Sequence, residues 1–185
     1  MQLYSVDAVW QKAVETIIRD TLLARLGQGR EAIVLGSIPT RDRIHEAEFY
    51  FPFDGVLPID RDTRMQRDPD GYIRGFIDLV FRKDGKYFIA DWKSNRLAAG
   101  YAQTEMEACM DAAGYQLQYR LYSLALLRWL GKMHTSPETK FGGVYYFFLR
   151  GMRAGTPEGI YYVSPQQVGT LAELEKELLS VSSPA

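Results

Sequence analysis

The chain has 185 residues, of which 46% are hydrophobic and 24% are charged, and its formal net charge is −1. This length and composition fit a single domain over residues 1–185 with a sizeable core, and they exclude a mainly disordered chain. The near-zero charge argues against a protein that binds nucleic acid through overall basicity, although a local basic patch beside a metal ion serves the same purpose. The single cysteine, Cys109, excludes an internal disulfide framework and a cysteine-held metal cluster, and it suits the cytoplasm.

The first third of the chain contains one helical pattern and one strand pattern. Apolar residues at helical spacing predict an amphipathic helix over Asp7–Leu26, which Gly27 ends. The short apolar segment Ala32–Leu35 follows, and alternation predicts a strand over Glu46–Phe53. The charge-dense segment Gly55–Gly71 is interpreted as a solvated loop.

A β-hairpin is predicted in the middle of the chain. Its strands are Tyr72–Arg82 and Lys86–Lys93, and the dipeptide Asp84-Gly85 between them is typical of a type I′ turn, which needs two residues with positive φ. Side chains alternate between the two faces of a strand, so Ile77 and Leu79 are expected to share one face of the first strand.

The last part of the chain alternates between helices and strands. Residues 102–113 are compatible with a helix, and apolar spacing predicts a long helix over Tyr115–Leu130. Strands are predicted over Gly143–Arg150 and Gly159–Val163, and Ser164 is expected to cap a final helix. This order of elements predicts an α/β fold with a mixed central β-sheet flanked by helices.

The hairpin has charged residues at positions where the apolar pattern of its strands predicts apolar residues. Closing it symmetrically places Asp78 directly across from Asp91, with Lys93 about 6.7 Å further along the same face. The repulsion between two facing carboxylates is relieved by protonation of one of them, by a bridging basic side chain or by a bridging divalent cation. Oxygen ligands of this kind suit Mg²⁺ or Mn²⁺. Phosphodiester hydrolysis can be catalysed by a metal ion, a water molecule and an ammonium group on one surface.

Three segments carry a family resemblance: GFIDLVF at 75–81, ADWKSN at 90–95, and the Q-x-x-x-Y pattern from Gln118 to Tyr122. They resemble the PD-(D/E)xK nucleases and, more narrowly, the C-terminal nuclease domain of RecB-type chains, the beta subunit of exodeoxyribonuclease V. The flanking EFYFP at 48–52, FGGVYYFFLRG at 141–151 and GIYY at 159–162 are similar to the same pattern.

The resemblance implies a restriction-endonuclease-like fold and a metal-dependent exonuclease that degrades DNA unwound by a helicase during recombinational repair. It implies RecC and RecD chains and RecA as partners. In such a site Asp78 and Asp91 bind Mg²⁺ or Mn²⁺ together with the backbone carbonyl of Trp92. Lys93 orients the attacking water and stabilises the developing charge on the phosphate.

Further site residues follow from the same resemblance. Gln118 and Tyr122 lie four residues apart on one helix face, which in the family borders the active site and its DNA. Ser94 and Arg96 are expected to contact phosphates or to serve only as loop residues. Glu48 is expected to be an outer acidic group of the site or an ordinary glutamate on the surface of a strand.

The sequence departs from the family in two places. Trp92 stands where the family usually has Tyr, a mild change because only the carbonyl is asked to bind metal. The family also has an upstream G-x-x-x-H motif that supplies a histidine ligand, and neither His45 nor His134 lies in such a motif. The chain therefore resembles a fragment or a shortened homologue, and it has no phosphate-binding loop of the helicase type.

Two alternatives to a nuclease remain open at this point. A catalytically weak module that binds DNA or docks a protein would keep the fold without a complete set of metal ligands. A sugar-nucleotide or other phosphate-handling metalloenzyme is the poorer alternative, because the sequence has no glycine-rich phosphate loop.

Overall fold

The structure is a computed structural model that describes residues 7–27, 29, 32–52, 65–67 and 69–179. The α-helices are α1 (Ala8–Leu23), α2 (Gln103–Ala112), α3 (Tyr115–Gly131), α4 (Pro165–Val168) and α5 (Leu171–Leu179). The β-strands are β1 (Arg25–Leu26), β2 (Ile33–Val34), β3 (Arg43–Pro52), β4 (Gln66–Arg67), β5 (Tyr72–Lys83), β6 (Lys86–Lys93), β7 (Phe141–Phe148) and β8 (Ile160–Val163). Across these residues, no helix is both long enough and apolar enough to cross a membrane.

The central sheet is mixed, which confirms the predicted α/β class. Its strands lie in the order β3-β5-β6-β7-β8, and β4 pairs with one end of β5. Among the strands that the structure describes, β6 and β7 are the one parallel pair. Their connection contains α2 and α3, as expected because parallel neighbours need a long crossover.

Both faces of the sheet are covered. On one face α2, α3 and α5 pack against the strands, and the cluster includes Met106, Leu124 and Leu174 from those helices. On the other face the segment after α1 contributes Leu26, Ile33, Leu35 and Ile38, which pack against Leu79, Phe81, Phe88, Ala90 and Phe147. All eight residues of β7 are buried, because β7 lies between two other strands and both faces of the sheet are covered there.

The hairpin has the predicted turn and register. Asp84 and Gly85 both have positive φ, at 50° and 75°, and the ladder runs from Lys83↔Lys86 to Leu79↔Ala90. The predicted alternation along β5 is wrong at one point, because Ile77 packs on the helix side of the sheet and Leu79 packs on the opposite side. The alternation therefore slips by one residue around Asp78.

The predicted N-terminal helix is too long. It ends at Leu23, and Ala24 has an extended backbone with φ −61° and ψ 152°. Leu26 belongs to β1 instead, where it is buried against the second face of the sheet. The predicted apolar stripe is largely exposed, including Val9 and Trp10, because only the last part of α1, around Asp20 and Thr21, is buried.

Several other predicted boundaries differ from the structure. The strand predicted from Glu46 begins at Arg43, and the strand predicted over Gly143–Arg150 spans Phe141–Phe148. The final helix is capped by Ser164 as predicted, but it breaks at Gly169, whose φ is 91°, and so forms α4 and α5. Within the predicted loop Gly55–Gly71, residues 66–67 pair with β5 as the short strand β4. Residues 53–64 and 68 lie outside the described residues, as does the end of the predicted strand at Phe53.

Gly75 on β5 lies in close contact with a ring, and this contact predicts the effect of a methyl group there. A Cβ at Gly75 would overlap the ring of Phe49. We expect Gly75→Ala to lower the free energy of unfolding by about 1–3 kcal/mol through overpacking, as measured by urea titration. In Gly131→Ala the nearest atom to the new Cβ lies 3.9 Å away, so this control should cost nothing. Equal losses in both variants would contradict the packing argument.

Candidate active site

The candidate site lies at the carboxyl end of β6, where the strand changes its pairing. The ladder to β5 ends at Leu79↔Ala90, whereas the ladder to β7 continues through Asp91↔Tyr146 to Lys93↔Phe148. The predicted pairing of Asp78 with Asp91 therefore lies one position beyond the last ladder pair. Instead, the Trp92 N–H donates to Oδ2 of Asp78 over 3.0 Å. The side chain of Asp78 thus replaces a backbone partner of Trp92, the residue that follows Asp91.

Asp91 and Lys93 form a buried ion pair on this strand end. Nζ of Lys93 lies 2.8 Å from Oδ2 of Asp91, and the two residues are only 7% and 3% exposed. They share the face of β6 that points toward α3, as the alternation predicts. Burying both charges is costly unless further polar contacts support them. The surroundings of Lys93 must therefore supply such contacts.

Gln118 and Tyr122 of α3 supply part of this support. Nζ of Lys93 donates to Oε1 of Gln118 over 2.9 Å, and Nε2 of Gln118 donates to the Tyr122 hydroxyl over 3.2 Å. Gln118 is 4% exposed and Tyr122 is 1% exposed. The two residues predicted to border DNA thus lie beneath the surface, in contact with Lys93 and with each other. Direct contact between either of them and DNA stays a prediction.

Tyr115 and Tyr146 were missed by the sequence analysis. The Lys93 Nζ lies 3.6 Å from the ring centroid of Tyr115 and 5.2 Å from that of Tyr146. Burial raises the pKa of Tyr146 well above its ordinary value, and the negative charge of Asp91 adds to the effect. The hydroxyl is therefore a stable hydrogen-bond donor. Tyr146 lies beside Asp91 because of the parallel register of β6 and β7, and the sequence analysis did not predict that register.

A third missed residue is Glu46 on β3. The register of β3 with β5 sets Glu46 opposite Asp78, between the pairs His45↔Leu79 and Ala47↔Ile77. Its φ is 51°, a left-handed conformation that is uncommon for a residue other than glycine. The irregularity coincides with the slipped alternation on β5. The backbone beside the candidate site is therefore locally strained.

The loop after β6 holds Ser94 and Arg96, which are both exposed. The Ser94 carbonyl accepts a hydrogen bond from Nε of Arg150 over 2.9 Å. Between them, the side-chain carbonyl oxygen of Asn95 accepts a hydrogen bond from the Tyr115 hydroxyl over 3.2 Å. The loop is thus joined to both β7 and α3 close to Lys93. Contacts of Ser94 and Arg96 with phosphate stay predictions.

Glu48 is engaged elsewhere on the sheet. Its Oε1 accepts from Nε of Arg74 over 2.5 Å, and both side chains are about half exposed. In the β3–β5 ladder it stands across from Phe76, two positions from the Glu46 and Asp78 pair. The role of Glu48 as an outer acidic group stays a prediction.

The donors at the site fit a hard divalent cation. Two carboxylates and a backbone carbonyl, from Asp78, Asp91 and Trp92, are the oxygen ligands that Mg²⁺ and Mn²⁺ favour. Within the described part of the chain, no group of three or more His, Cys, Asp or Glu side chains is arranged to hold a metal. His45 is exposed on β3 and His134 follows α3. Binding of a metal ion by the two carboxylates and the backbone oxygen stays a prediction.

The buried ion pair predicts a large coupling between its two members. Lys93→Met leaves the Asp91 carboxylate buried without its cation, and we expect it to lower the free energy of unfolding by about 3–5 kcal/mol in a chelator. The double variant Asp91→Asn with Lys93→Met should recover part of that loss, as measured by denaturant titration.

A matched control for this cycle is the exposed pair of Lys83 and Asp84, 3.4 Å apart. Lys83→Met should change stability little, because exposed ion pairs contribute little. Strictly additive effects of the Asp91 and Lys93 substitutions would contradict the buried pair.

Comparison with known proteins gives the same family as the motifs. The PD-(D/E)XK nuclease superfamily matches residues 2–183. The chain is 33% identical to the RecBCD enzyme subunit RecB of Escherichia coli (strain K12), in an alignment 196 residues long that covers 95% of the chain. It is 43% identical to the protein of the same name from Haemophilus influenzae over 77% of its length. It is 31% identical to the protein of the same name from Mycolicibacterium smegmatis over 80% of its length.

The chain is much shorter than these relatives, since it spans 16%, 13% and 18% of their respective lengths. The match to the family nevertheless covers almost the entire sequence. The chain therefore belongs to the PD-(D/E)XK nuclease superfamily.

Proposed function

We propose that the chain is a metal-dependent DNA nuclease domain that hydrolyses phosphodiester bonds as an exonuclease in recombinational repair. The observation that carries this proposal is the buried Lys93 ammonium, 2.8 Å from the Asp91 carboxylate, with Asp78 bonded to the adjacent Trp92 amide. A cation and two carboxylates on one strand end, in a member of a nuclease superfamily, support phosphoryl-transfer chemistry over a purely structural role.

The residues divide the chemistry between them. Asp78, Asp91 and the Trp92 carbonyl would hold Mg²⁺ or Mn²⁺, which supplies charge neutralisation at the phosphate and makes water a stronger nucleophile near neutral pH. The ammonium of Lys93 orients the attacking water and stabilises the negative charge that develops on the phosphate oxygens. Gln118 fixes the direction of that ammonium through its 2.9 Å contact.

The cellular setting is proposed from the relatives. They carry the name RecBCD enzyme subunit RecB, and by resemblance this domain works on DNA in the cytoplasm with RecC and RecD chains and with RecA. We take residues 1–185 as one nuclease domain, in keeping with the family match over residues 2–183.

A second candidate function is a DNA-binding or protein-docking module with weak or no catalysis. The observation in its favour is that no group of three potential metal-binding side chains exists among the residues that the structure describes. Such a module would keep the sheet and the exposed arginine of the loop, Arg96, while binding metal poorly.

Cleavage of linear DNA tests the nuclease proposal. We expect Mg²⁺- or Mn²⁺-dependent degradation of single-stranded DNA that is abolished by a chelator. Asp91→Ala and Lys93→Ala should each lower the rate by about 100-fold or more, because Asp91 would hold the metal ion and Lys93 would stabilise the charge that develops on the phosphate. Product lengths over time on end-labelled DNA measure this.

The control for cleavage is Asp84→Asn, which removes a carboxylate from the tip of the same hairpin. Asn tolerates the positive φ of this position, and Asp84 is exposed, so the wild-type rate is expected. DNA binding without cleavage, unchanged in Asp91→Ala and Lys93→Ala, would contradict the nuclease and support the second candidate.

Metal binding is a separate prediction that needs no activity. We expect calorimetry to detect saturable Mn²⁺ binding in the wild type and at least about tenfold weaker binding in Asp78→Asn, because an amide is a poorer ligand than a carboxylate for a hard cation. Asp84→Asn again serves as the control. Equal Mn²⁺ affinity in all three proteins would place the ion elsewhere and contradict the proposed ligands.

A further inference from the structure

Two aromatic rings lie close to the Lys93 ammonium, in addition to its polar contacts. Its Nζ lies 3.6 Å from the ring centroid of Tyr115 and 5.2 Å from that of Tyr146. The two rings stack on each other with centroids 5.9 Å apart and an interplanar angle of 14°. Both tyrosines are buried. The rings thus form a wall, which we call the tyrosine wall, between α3 and β7.

An aromatic face stabilises a cation without accepting a conventional hydrogen bond. An ammonium group has three N–H donors. One of these donors is used by Oε1 of Gln118, which lies 2.9 Å from Nζ, and Oδ2 of Asp91 forms an ion pair with Nζ at 2.8 Å. The tyrosine wall offsets the desolvation of the charge and leaves donor capacity for a third partner. Hydrogen-bond acceptors in place of the rings would have used the remaining N–H donor of the ammonium group.

The Tyr146 hydroxyl adds a second contribution. It donates to Oε1 of Gln118 over 3.1 Å, the same oxygen that accepts from Lys93. On its other side, Gln118 donates from Nε2 to the Tyr122 hydroxyl. The amide of Gln118 therefore has one orientation that satisfies all of its neighbours, with its oxygen toward the lysine.

We propose that Tyr115 and Tyr146 are positioning residues for Lys93, with Tyr115 acting through its ring and Tyr146 acting through its hydroxyl. The proposal rests on the proposed function of Lys93 in hydrolysis and deepens it. The two tyrosines are not among the proposed metal ligands, and both are buried, so we expect them to act on turnover through the lysine. DNA affinity should not depend on them.

Steady-state cleavage with paired substitutions tests the two roles. Tyr115→Leu should lower kcat by roughly tenfold at unchanged KM, because the cation–π contact is lost. Tyr115→Phe keeps the ring and should recover most of that loss. Tyr146→Phe also keeps its ring, but it should lower kcat several-fold, because the hydroxyl that holds Gln118 is gone. Loss of kcat in Tyr115→Phe equal to that in Tyr115→Leu would overturn the role of the ring.

The matched control is Tyr87→Leu, which removes a tyrosine from the same face of β6, six residues before Lys93. Its ring packs edge-to-face on Trp129, with centroids 5.5 Å apart, and it should leave kcat and KM unchanged. A fall of kcat in Tyr87→Leu as large as in Tyr115→Leu would mean that loss of packing alone explains the effect and would overturn the proposal.

An NMR measurement separates this inference from the proposed function. Ring currents of Tyr115 should shift the terminal methylene protons of Lys93 upfield, and Lys93→Met identifies the signal by its loss. The shift should persist in Tyr115→Phe and disappear in Tyr115→Leu, whether or not the chain cleaves DNA. An unshifted Lys93 signal in the wild type would overturn the tyrosine wall even if cleavage is metal-dependent. A shifted signal in a chain that does not cleave DNA would support the wall and refute only the nuclease proposal.

Discussion

The buried ion pair between Asp91 and Lys93 is the interaction on which the architecture of the site depends. Both charges lie out of water on one strand end, where neither is tolerated alone. The surrounding structure must therefore supply a hydrogen-bond acceptor and a polarisable surface for the ammonium. Gln118 supplies the first, and the stacked rings of Tyr115 and Tyr146 supply the second. Helix α3 and strand β7 converge on Lys93 for this reason.

The change of pairing along β6 creates the site. Near the turn, β6 is held by β5 on one side and by β7 on the other, and its side chains simply fill the two cores. Beyond Ala90 the ladder to β5 stops, and the Trp92 amide turns to the side chain of Asp78. Strained backbone at Glu46 on the neighbouring strand marks the same level of the sheet. A regular sheet would pair these backbone groups and leave no room for a ligand between the strands.

Membership of the nuclease superfamily and the geometry of the candidate site supply different information about this chain. The family match covers residues 2–183 but says nothing of how Lys93 is held. The structure gives the neighbours of Lys93. Metal binding by Asp78, Asp91 and the Trp92 carbonyl, on which the proposed activity rests, stays a prediction.

The sequence by itself determined the hairpin and the residues with reactive chemistry. Asp84-Gly85 dictates its turn because few other residue pairs tolerate two positive φ angles, and this turn fixes the register as far as Leu79↔Ala90. Local sequence patterns do not determine the structure beyond that pair. Only the tertiary structure decided that β5 leaves the ladder at Asp78, that α1 ends at Leu23, and that Tyr115 and Tyr146 meet at Lys93. Those outcomes depend on contacts between distant segments, and a periodic pattern along one segment carries no information about its neighbours.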